Sequence, residues 1–576
     1  MGNIEITLNG RTVSVLENIS ILEAAKRNGI YLPTLCHHPD QRVKANCRVC
    51  VVEVEGVRNL VASCSTAVRE GMKITTNSPR VRETVRTILE LIFADHPQEC
   101  LTCIRNEKCE LRQIASRFGI NSIQGAKTAN NYPVDTSTPS IVRNPNKCIK
   151  CGRCAEVCHH TQEVGVLYSH NRSTEIMISP EYGKNLSEVG CVLCGQCAAV
   201  CPVGAIHEKD DTDQVWAALA DPGKHVVVQT APSVRVSIAE EFNMPPGSIQ
   251  TGKLVAALRS LGFERVFDTD FSADLTIMEE GHELLHRIQN GGVLPLITSC
   301  SPGWINYAEK YYPELLPNIS TCKSPQQMFG AVAKTFYAKR SGIAPEDIYV
   351  VSVMPCTAKK YEAIQPEMRS SGYQDVDAVL TTRELARILR HEGIDFSMLE
   401  ESEYDSPLGT STGAAAIFGT TGGVMEAALR SVYEIVTGET LSKLDFSEVR
   451  GLEGVRSASV DLKGKEVKVA IAHGLANAKK IAEKIKAGEE DYTFIEVMCC
   501  PGGCIGGGGQ PYGTTQEVRK KRMEALYQVD SDMPLRKSHE NPAVIELYQE
   551  FFGEPMGELS HRYLHIERAE EAEAVI

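Results

Sequence analysis

The apolar and polar positions near the N-terminus predict a β-hairpin followed by a helix. Two alternating runs, 4–8 and 11–15, flank Asn9-Gly10, the dipeptide most typical of a two-residue hairpin turn. The spacing Ser20-x-x-Glu23 is that of a capping box, which predicts a helix over 21–27. The chain is therefore expected to begin with a β-hairpin that is followed by a helix.

Beyond Ala205 the pattern changes to short buried strands that alternate with helices. The predicted elements are strands at 226–228, 293–297, 348–353 and 494–497, and a helix at 253–261. This alternation is typical of an α/β domain, in which ligands bind at the carboxyl ends of parallel strands. Each of the last three strands ends in a cysteine-containing loop. We therefore expect these three loops to meet at one buried site.

Composition restricts the class of protein. A chain of 576 residues predicts several domains, and a net charge of −14 without a basic block gives no support for nucleic-acid binding. The first residues lack a charged-then-apolar signal region, and no run of about 18 apolar residues follows. The 21 cysteines lie in tight clusters, which favours metal centres over disulfides. We expect a cytoplasmic protein with no membrane partner.

Two matched cysteine runs organise the N-terminal half. Both have the spacing C-x2-C-x2-C-x3-C of two-cluster bacterial ferredoxins, in which the fourth cysteine of each run binds the other run's cluster. One departure is His159, which stands where proline usually follows the fourth cysteine. The predicted ligands are Cys148, Cys151, Cys154 and Cys201 for one 4Fe–4S cluster, and Cys191, Cys194, Cys197 and Cys158 for the other.

Four earlier cysteines suit a 2Fe–2S cluster. They are Cys36, Cys47, Cys50 and Cys64, with one tight C-x2-C pair among them. Together with the hairpin and helix that precede them, they resemble plant-type ferredoxins, which have a β-grasp fold. A zinc knuckle is the alternative. We favour 2Fe–2S because a zinc ion gives the neighbouring 4Fe–4S clusters nothing with which to exchange electrons.

A third group follows a predicted helix over 81–94, whose start is indicated by Ser78-Pro79. The group contains His96, Cys100, Cys103 and Cys109. Imidazole can replace a thiolate as an iron ligand, so we favour a histidine-ligated 4Fe–4S cluster over zinc. The order of these sites resembles two families, the large iron–sulfur subunit of NADH:quinone oxidoreductase with its formate dehydrogenase relatives, and the iron-only (FeFe) hydrogenases.

The three C-terminal cysteine loops discriminate between these families. The first loop (298–304) reads TSCSPGW, the second loop (354–362) reads MPCTAKKYE, and the third loop (498–511) reads MCCPGGCIGGGGQP. They resemble the FeFe hydrogenase motifs T-S-C-C-P-x-W, M-P-C-x-x-K-x-x-E and E-x-M-A-C-x-x-G-C-x-x-G-G-G-x-P. The resemblance implies an H-cluster, a 4Fe–4S cubane joined to a two-iron unit with CO, cyanide and dithiolate ligands. It also implies that Cys356 and Cys500 bind the cubane and that Cys504 bridges to the two-iron unit.

Two positions depart from those motifs. The family's first loop has adjacent cysteines, a proton relay and then a cubane ligand, whereas this chain has Cys300 and then Ser301. The third loop has Cys499 where alanine is usual. Two assignments stay open: either Cys300 takes the ligand role, which we favour here, or Cys300 is the relay and Ser301 or Cys499 supplies the fourth bond.

The resemblance also implies a proton path and a lined pocket. The path would contain Glu280, Ser320, Glu283 and Arg287, and a solvated helix face is the alternative for the helical neighbours among them. Lys359 would hydrogen-bond a cyanide ligand. Met354, Met498, Pro232 and Ser233 would lie beside the two-iron unit. Cys322 matches no family ligand, and we interpret it as a buried thiol. The glycine-rich run 419–423 is interpreted as tight packing rather than a nucleotide site.

These expectations combine into a multidomain chain of α+β and α/β domains. We predict a β-grasp 2Fe–2S domain (1–78), a histidine-ligated 4Fe–4S domain (79–138), a bacterial ferredoxin-like domain with two 4Fe–4S clusters (139–210), and a large α/β H-cluster domain with parallel sheets (211–576).

The predicted reaction interconverts protons, electrons and H2. The segment 99–111 and the serine-containing first loop resemble catalytic subunits of NAD(P)-linked, electron-bifurcating hydrogenases. Those work with a flavin- and NAD-binding subunit and a thioredoxin-like 2Fe–2S subunit. A monomeric ferredoxin-dependent hydrogenase is one alternative, and a hydrogen-sensing or electron-transfer homologue is another.

Overall fold

A computed structural model describes residues 2–121, 131–441, 444–461 and 466–567. The predicted hairpin forms, and Asn9 and Gly10 both adopt positive φ at its turn. Its strands belong to a five-stranded sheet of order β2-β1-β5-β3-β4. The elements are β1 (Asn3–Leu8), β2 (Arg11–Leu16), α1 (Ile21–Arg27), β3 (Val51–Val54), β4 (Val61–Ala62) and β5 (Lys73–Thr75).

Helix α1 begins and ends where the capping box predicts. The Ser20 side chain accepts a hydrogen bond from the Glu23 amide, which satisfies one of the free donors of the first turn. Ile21, Ala24 and Ala25 pack against apolar residues of the sheet, so this face of α1 is buried.

Two helices carry the chain to the double cysteine run. They are α2 (Pro79–Ala94) and α3 (Glu110–Arg117). Ser78 caps α2 through the Val81 amide, with Pro79 at the first helical position. The loop between the helices contains Cys100, Cys103 and, at its end, Cys109.

The two cysteine runs adopt the same local structure. In each run a glycine with positive φ, Gly152 or Gly195, precedes a short helix that begins just before the third cysteine. Two small antiparallel ladders, β6 with β9 and β7 with β8, complete this region. The elements are β6 (Ile141–Arg143), α4 (Arg153–Glu156), β7 (Tyr168–His170), β8 (Met177–Ser179), α5 (Gln196–Ala199) and β9 (Ile206–Glu208).

The C-terminal region contains two sheets. One has the order β11-β10-β13-β14 and is parallel throughout. The other has the order β12-β17-β16-β15, with only β15 antiparallel to its neighbour. The strands are β10 (His225–Thr230), β11 (Arg265–Asp268), β12 (Leu296–Ile297), β13 (Ile348–Met354), β14 (Ala378–Thr381), β15 (Val455–Asp461), β16 (Glu466–His473) and β17 (Phe494–Met498).

Helices cover both sheets. They are α6 (Thr212–Leu219), α7 (Thr251–Ser260), α8 (Thr269–Asn290), α9 (Pro302–Tyr311), α10 (Pro325–Val332), α11 (Ala338–Ser341), α12 (Ala358–Ala363), α13 (Thr382–His391), α14 (Gly413–Ala416), α15 (Gly423–Thr437), α16 (Leu475–Ala487), α17 (Gln516–Asp532), α18 (Pro542–Leu547) and α19 (Glu558–Leu564). Among the described residues, every helix is too short or too polar to span a bilayer.

One predicted strand is shorter than expected. The apolar run 293–297 forms strand only at Leu296 and Ile297. Val293 and Leu294 are exposed, and Pro295 has no N–H to donate to a neighbouring strand. The strand still ends directly before the first loop.

Candidate metal centres and active site

Cysteines from three separate loops line one buried cavity. Cys300 follows β12, Cys356 follows β13, and Cys500 and Cys504 follow β17. The first and third loops come from one sheet and the second loop from the other. The carboxyl ends of strands from both sheets therefore converge, which brings together four thiols far apart in sequence.

Glycines let the third loop pass close to its neighbours. Gly502 and Gly503 have φ of +80° and +87°, which side chains other than glycine rarely adopt. A Cβ on Gly507 would lie 2.1 Å from the Pro355 oxygen, and one on Gly508 would lie 2.4 Å from the Cys194 oxygen. The glycine-rich sequence is therefore required by close backbone contact with the second loop and with the double-cluster region.

Lys359 is held at the cavity by a buried carboxylate. Its Nζ donates to the Cys300 carbonyl oxygen at 3.2 Å and to Glu362 Oε2 at 3.0 Å. The same Glu362 oxygen accepts from Ser324 and Gln326. Sequence reasoning assigned no role to Glu362, although its spacing of three residues from Lys359 on a helix could have indicated the pair.

The predicted pocket residues divide into two groups. Met354, Met498 and Pro232 line the cavity with the cysteines. Ser233 is fully buried, and its hydroxyl accepts a hydrogen bond of 3.2 Å from Gln510. We therefore place Ser233 as a support for the third loop in this structure.

The predicted proton-path residues form a continuous chain. The Glu280 carboxyl hydrogen-bonds Ser320, whose hydroxyl donates to Glu283 Oε2 at 2.6 Å. Arg287 then pairs with Glu283 Oε1 at 2.6 Å and also donates to the carbonyl oxygens of the loop around it. At the inner end, the charge of Glu280 acts on the Cys300 thiol. The chain thus leads from the cavity to the half-buried Arg287.

Glu280 is set up to carry a proton at neutral pH. Burial raises the pKa of its carboxyl to about 8, and the negative charge of Glu283 adds to the effect. One of its carboxyl oxygens is buried without a hydrogen-bond partner among the described residues. A neutral Glu280 can donate to Ser320, which in turn donates to Glu283.

The two cysteine runs form two pockets, and the fourth cysteine of each run lies in the pocket of the other run. Cys148, Cys151, Cys154 and Cys201 line one, and Cys158, Cys191, Cys194 and Cys197 line the other. Cys194 also lines the cavity of the three loops. It therefore joins the second pocket to that cavity.

The four N-terminal cysteines lie together. The Cys47 amide donates to Cys36 Sγ at 3.5 Å, Cys50 and Cys64 hydrogen-bond each other, and the charges of all three neighbours act on Cys64. Such a compact set of four thiols suits one small cluster.

His96 has two properties that a metal ligand needs: a neutral imidazole ring and a buried ring nitrogen that is not used by another hydrogen bond among the described residues. Burial lowers the pKa of its imidazole to about 4, so the ring is neutral, the form that binds metal. Its Nδ1 is buried without a hydrogen-bond partner in the described part of the chain. In the following loop, burial raises the pKa of the Cys109 thiol, and the charge of Cys103 adds to this effect.

Iron–sulfur clusters fit these donor sets. Burial raises the pKa of the Cys191 and Cys504 thiols to about 12, so a cation is needed to hold them as thiolates. Iron supplies that charge, and clusters of iron are normally held by cysteine thiolates.

The glycine-rich run 419–423 packs tightly, as interpreted from the sequence. A Cβ on Gly423 would lie 1.7 Å from the Ile417 oxygen. The first amides of α15 are already used, since those of Gly422 and Met425 donate to the Glu496 carboxylate at 2.6 and 2.8 Å. This helix start is therefore occupied by the protein's own carboxylate.

Family models match successive parts of the chain. They describe a 2Fe-2S iron-sulfur cluster binding domain (2–79), an NADH-ubiquinone oxidoreductase-G iron-sulfur binding region (86–124), a 4Fe-4S dicluster domain (133–205), the C-terminal domain of the iron only hydrogenase large subunit (224–508) and the iron hydrogenase small subunit (516–567). The last match was missed by sequence reasoning, which treated 211–576 as one unit.

Individual relatives agree with these models. The NADP-reducing hydrogenase subunit HndD of Solidesulfovibrio fructosivorans is 51% identical, over 98% of each chain. Iron hydrogenase 1 of Clostridium pasteurianum is 42% identical, over 97% of this chain and 99% of the relative. A structure of [FeFe]-hydrogenase HydA1 from Chlamydomonas reinhardtii matches with a TM-score of 0.57 and 44% identity, over 63% of this chain and 99% of that one.

The domains matched along the chain define an iron–sulfur oxidoreductase with several cluster-binding domains. The chain belongs to the iron-only (FeFe) hydrogenases, as a catalytic subunit that carries 2Fe–2S and 4Fe–4S domains.

Proposed function

We propose that this subunit interconverts two protons, two electrons and H2 at an H-cluster, within a larger NAD(P)-linked complex. The observation that carries the proposal is the meeting of Cys300, Cys356, Cys500 and Cys504 in one buried cavity. The cavity is joined to a double-cluster pocket through Cys194, so electrons and protons can reach the same place.

The residues of the cavity have separate roles in this proposal. Cys356 and Cys500 hold the cubane, and Cys504 bridges it to the two-iron unit. The bound cluster supplies the hydrogen-activating chemistry, while the protein binds, insulates and orients it. Lys359, held by Glu362 at 3.0 Å, offers a cationic donor to a cyanide ligand, and Met354, Met498 and Pro232 keep the cavity apolar.

Protons travel through side chains to the cavity. Glu283, held in place by Arg287, receives them at the outer end, Ser320 passes them on, and Glu280 delivers them to the Cys300 thiol. Hydrogen bonds join Glu283, Ser320 and Glu280, as proton transfer requires, and the charge of Glu280 acts on the Cys300 thiol at the inner end.

Electrons travel through three accessory 4Fe–4S clusters and one 2Fe–2S cluster. The fully buried Arg105 lies between the histidine-ligated group and the double run, where its guanidinium donates to the Cys201 carbonyl oxygen at 3.0 Å. Cys194 is the last cluster ligand before the catalytic cavity. The proposed order ends at the cubane held by Cys356 and Cys500.

The proposed partners follow from one of the relatives that match along nearly their full length. That relative is named as a subunit of an NADP-reducing hydrogenase. We therefore propose a cytoplasmic complex with a flavin- and NAD-binding subunit and a thioredoxin-like 2Fe–2S subunit, capable of electron bifurcation with ferredoxin. A monomeric enzyme that uses ferredoxin alone is the second candidate.

Two measurements test this function. H2 evolution from a reduced viologen by fully matured protein is expected, whereas absence of turnover would favour a hydrogen sensor. Anaerobic purification of the native protein should give a complex that contains flavin and reduces NADP⁺ with H2. A flavin-free monomer with full viologen activity would instead support the ferredoxin-dependent enzyme.

A further inference from the structure

The two departures from the hydrogenase motifs lie side by side in the cavity wall. The Cys499 amide donates a hydrogen bond of 3.0 Å to the Ser301 hydroxyl. Both residues line the cavity together with Cys356, Cys500 and Cys504. Ser301, which replaces a cysteine of the motif, is therefore in direct contact with Cys499, which is an additional cysteine.

Ser301 is poorly suited to bind iron. Iron–sulfur clusters are held by thiolates, and a hydroxyl would have to lose a proton that it holds far more tightly than a thiol does. The Ser301 hydroxyl also has a structural use already, since it accepts the Cys499 amide and stands at the start of α9. This leaves the cubane with three thiolates unless another residue contributes one.

The Cys499 thiol faces the cluster ligands. It lies within hydrogen-bond reach of the Cys194 and Cys500 sulfurs and is buried. The Gln162 side-chain amide donates to the Cys499 carbonyl oxygen at 3.1 Å and to the Cys499 Sγ at 3.7 Å, and these contacts restrain the Cys499 side chain. Gly303 provides the room, because a Cβ there would lie 2.6 Å from the Cys499 sulfur.

Cys300 faces a different set of groups. Glu280 is the charged residue that acts most strongly on its thiol, followed by Lys359, which donates to its carbonyl oxygen. Its thiol therefore belongs to the inner end of the proton path. A thiol bound to a cubane could not exchange its proton in that position.

We propose that Cys499 supplies the fourth thiolate of the catalytic cubane, beside Cys356, Cys500 and Cys504, while Cys300 stays a free thiol on the proton path. The inference rests on the proposed function and reverses the assignment favoured from the sequence alone. On cluster assembly the Cys499 thiol gives its proton to solvent and exchanges its S–H bond for an Fe–S bond, with no change in its oxidation state.

The test uses full-length protein produced with its accessory clusters but without the two-iron unit. Iron content and the paramagnetic resonance spectrum of the reduced protein are compared between the unmodified chain, Cys499→Ala, and the double variant Cys499→Ala/Ser301→Cys. Cys499→Ala should lose about four irons per chain, one cubane. The double variant, which moves the thiol to the neighbouring loop, should regain them. Cys322→Ala, which removes a fully buried thiol elsewhere, should keep the full content.

Several results would overturn the inference. Full iron content in Cys499→Ala would do so, as would loss of one cubane from Cys300→Ala or from Ser301→Ala. The double variant separates loss of the cubane from misfolding. If it folds but still lacks the cubane, that result also contradicts the proposal. If the unmodified chain takes up no catalytic cubane, the proposed function fails as well. If the unmodified chain takes it up and only the variants give unexpected iron contents, the proposed function stands and only the Cys499 assignment fails.

Discussion

His565 Nε2 lies 3.0 Å from Glu279 Oε2, and both side chains are fully buried. This pair joins the C-terminal segment to α8, the helix that also carries Glu280 and Glu283. The His565 Nδ1 contacts the Thr321 hydroxyl at 2.8 Å, directly beside Ser320. The segment matched by the small-subunit model therefore supports the helix and loop that form the proposed proton path.

We predict that His565→Ala destabilises the protein by about 1–3 kcal/mol, because it leaves the buried Glu279 carboxyl without one of its hydrogen-bond partners. Glu279 retains only hydrogen bonds from Tyr548 and from the Met556 amide among the described residues. The measurement is anaerobic thermal unfolding. His391→Ala, at an exposed histidine, is the control and should unfold like the unmodified protein. Equal unfolding temperatures for both variants would show that the pair contributes little.

Glu280→Gln should lower H2 evolution at least about 100-fold, because the amide keeps the shape of the neutral acid but cannot release a proton. The control is Gln289→Ala, on the exposed side of the same helix. The infrared bands of the cluster ligands should be unchanged in both variants, which separates loss of proton transfer from loss of the cluster. Activity within a few-fold of the unmodified enzyme would place the proton path elsewhere.

The same carboxyl predicts a pH dependence of stability. Its pKa is raised from 4.5 to about 8 in the folded protein. Between these values the folded state holds a proton that the unfolded state has lost, so this group makes stability fall as pH rises, by up to about 1.4 kcal/mol per pH unit. Glu280→Gln removes this contribution. Its unfolding temperature relative to the unmodified protein should therefore increase from about pH 6 to pH 8, and a constant difference would contradict the raised pKa.

Because the fourth cysteine of each run lies with the other run's cluster, replacing one of these fourth cysteines should remove one specific 4Fe–4S cluster. Cys201→Ala should remove the cluster held by Cys148, Cys151 and Cys154, while Cys158→Ala should remove the cluster nearest the catalytic cavity. The two variants are matched controls for each other, and paramagnetic resonance of the reduced proteins distinguishes them. Because Cys194 joins the second pocket to the cavity, Cys158→Ala should also slow H2 evolution from viologen more than Cys201→Ala. Loss of the same signal in both variants would contradict exchanged pairing.

Features encoded in short stretches of sequence were predictable. The hairpin at Asn9-Gly10, the cap at Ser20 and the start of α2 depend on residues a few positions apart, and each forms at the predicted place. The convergence of the three loops was predictable because each follows a buried parallel strand.

Features that depend on packing between distant segments could not be predicted from the sequence. The contact of Gln162 with Cys499 and the pairing of Glu279 with His565 join residues hundreds of positions apart, with no local pattern to mark them. The assignment of each strand to one of the two sheets was also not encoded in any single strand. The shortening of the strand before Cys300 reflects exposure of Val293 and Leu294, which apolar character alone did not reveal.

The central claim is that Cys300, Cys356, Cys500 and Cys504 enclose one hydrogen-activating cluster. The most direct test is an infrared spectrum of fully matured protein in the CO and cyanide stretching region. The account predicts bands from both ligand types, and it predicts their loss in Cys504→Ala while the accessory clusters remain. A matured sample with a full complement of iron and no bands in this region would contradict the account.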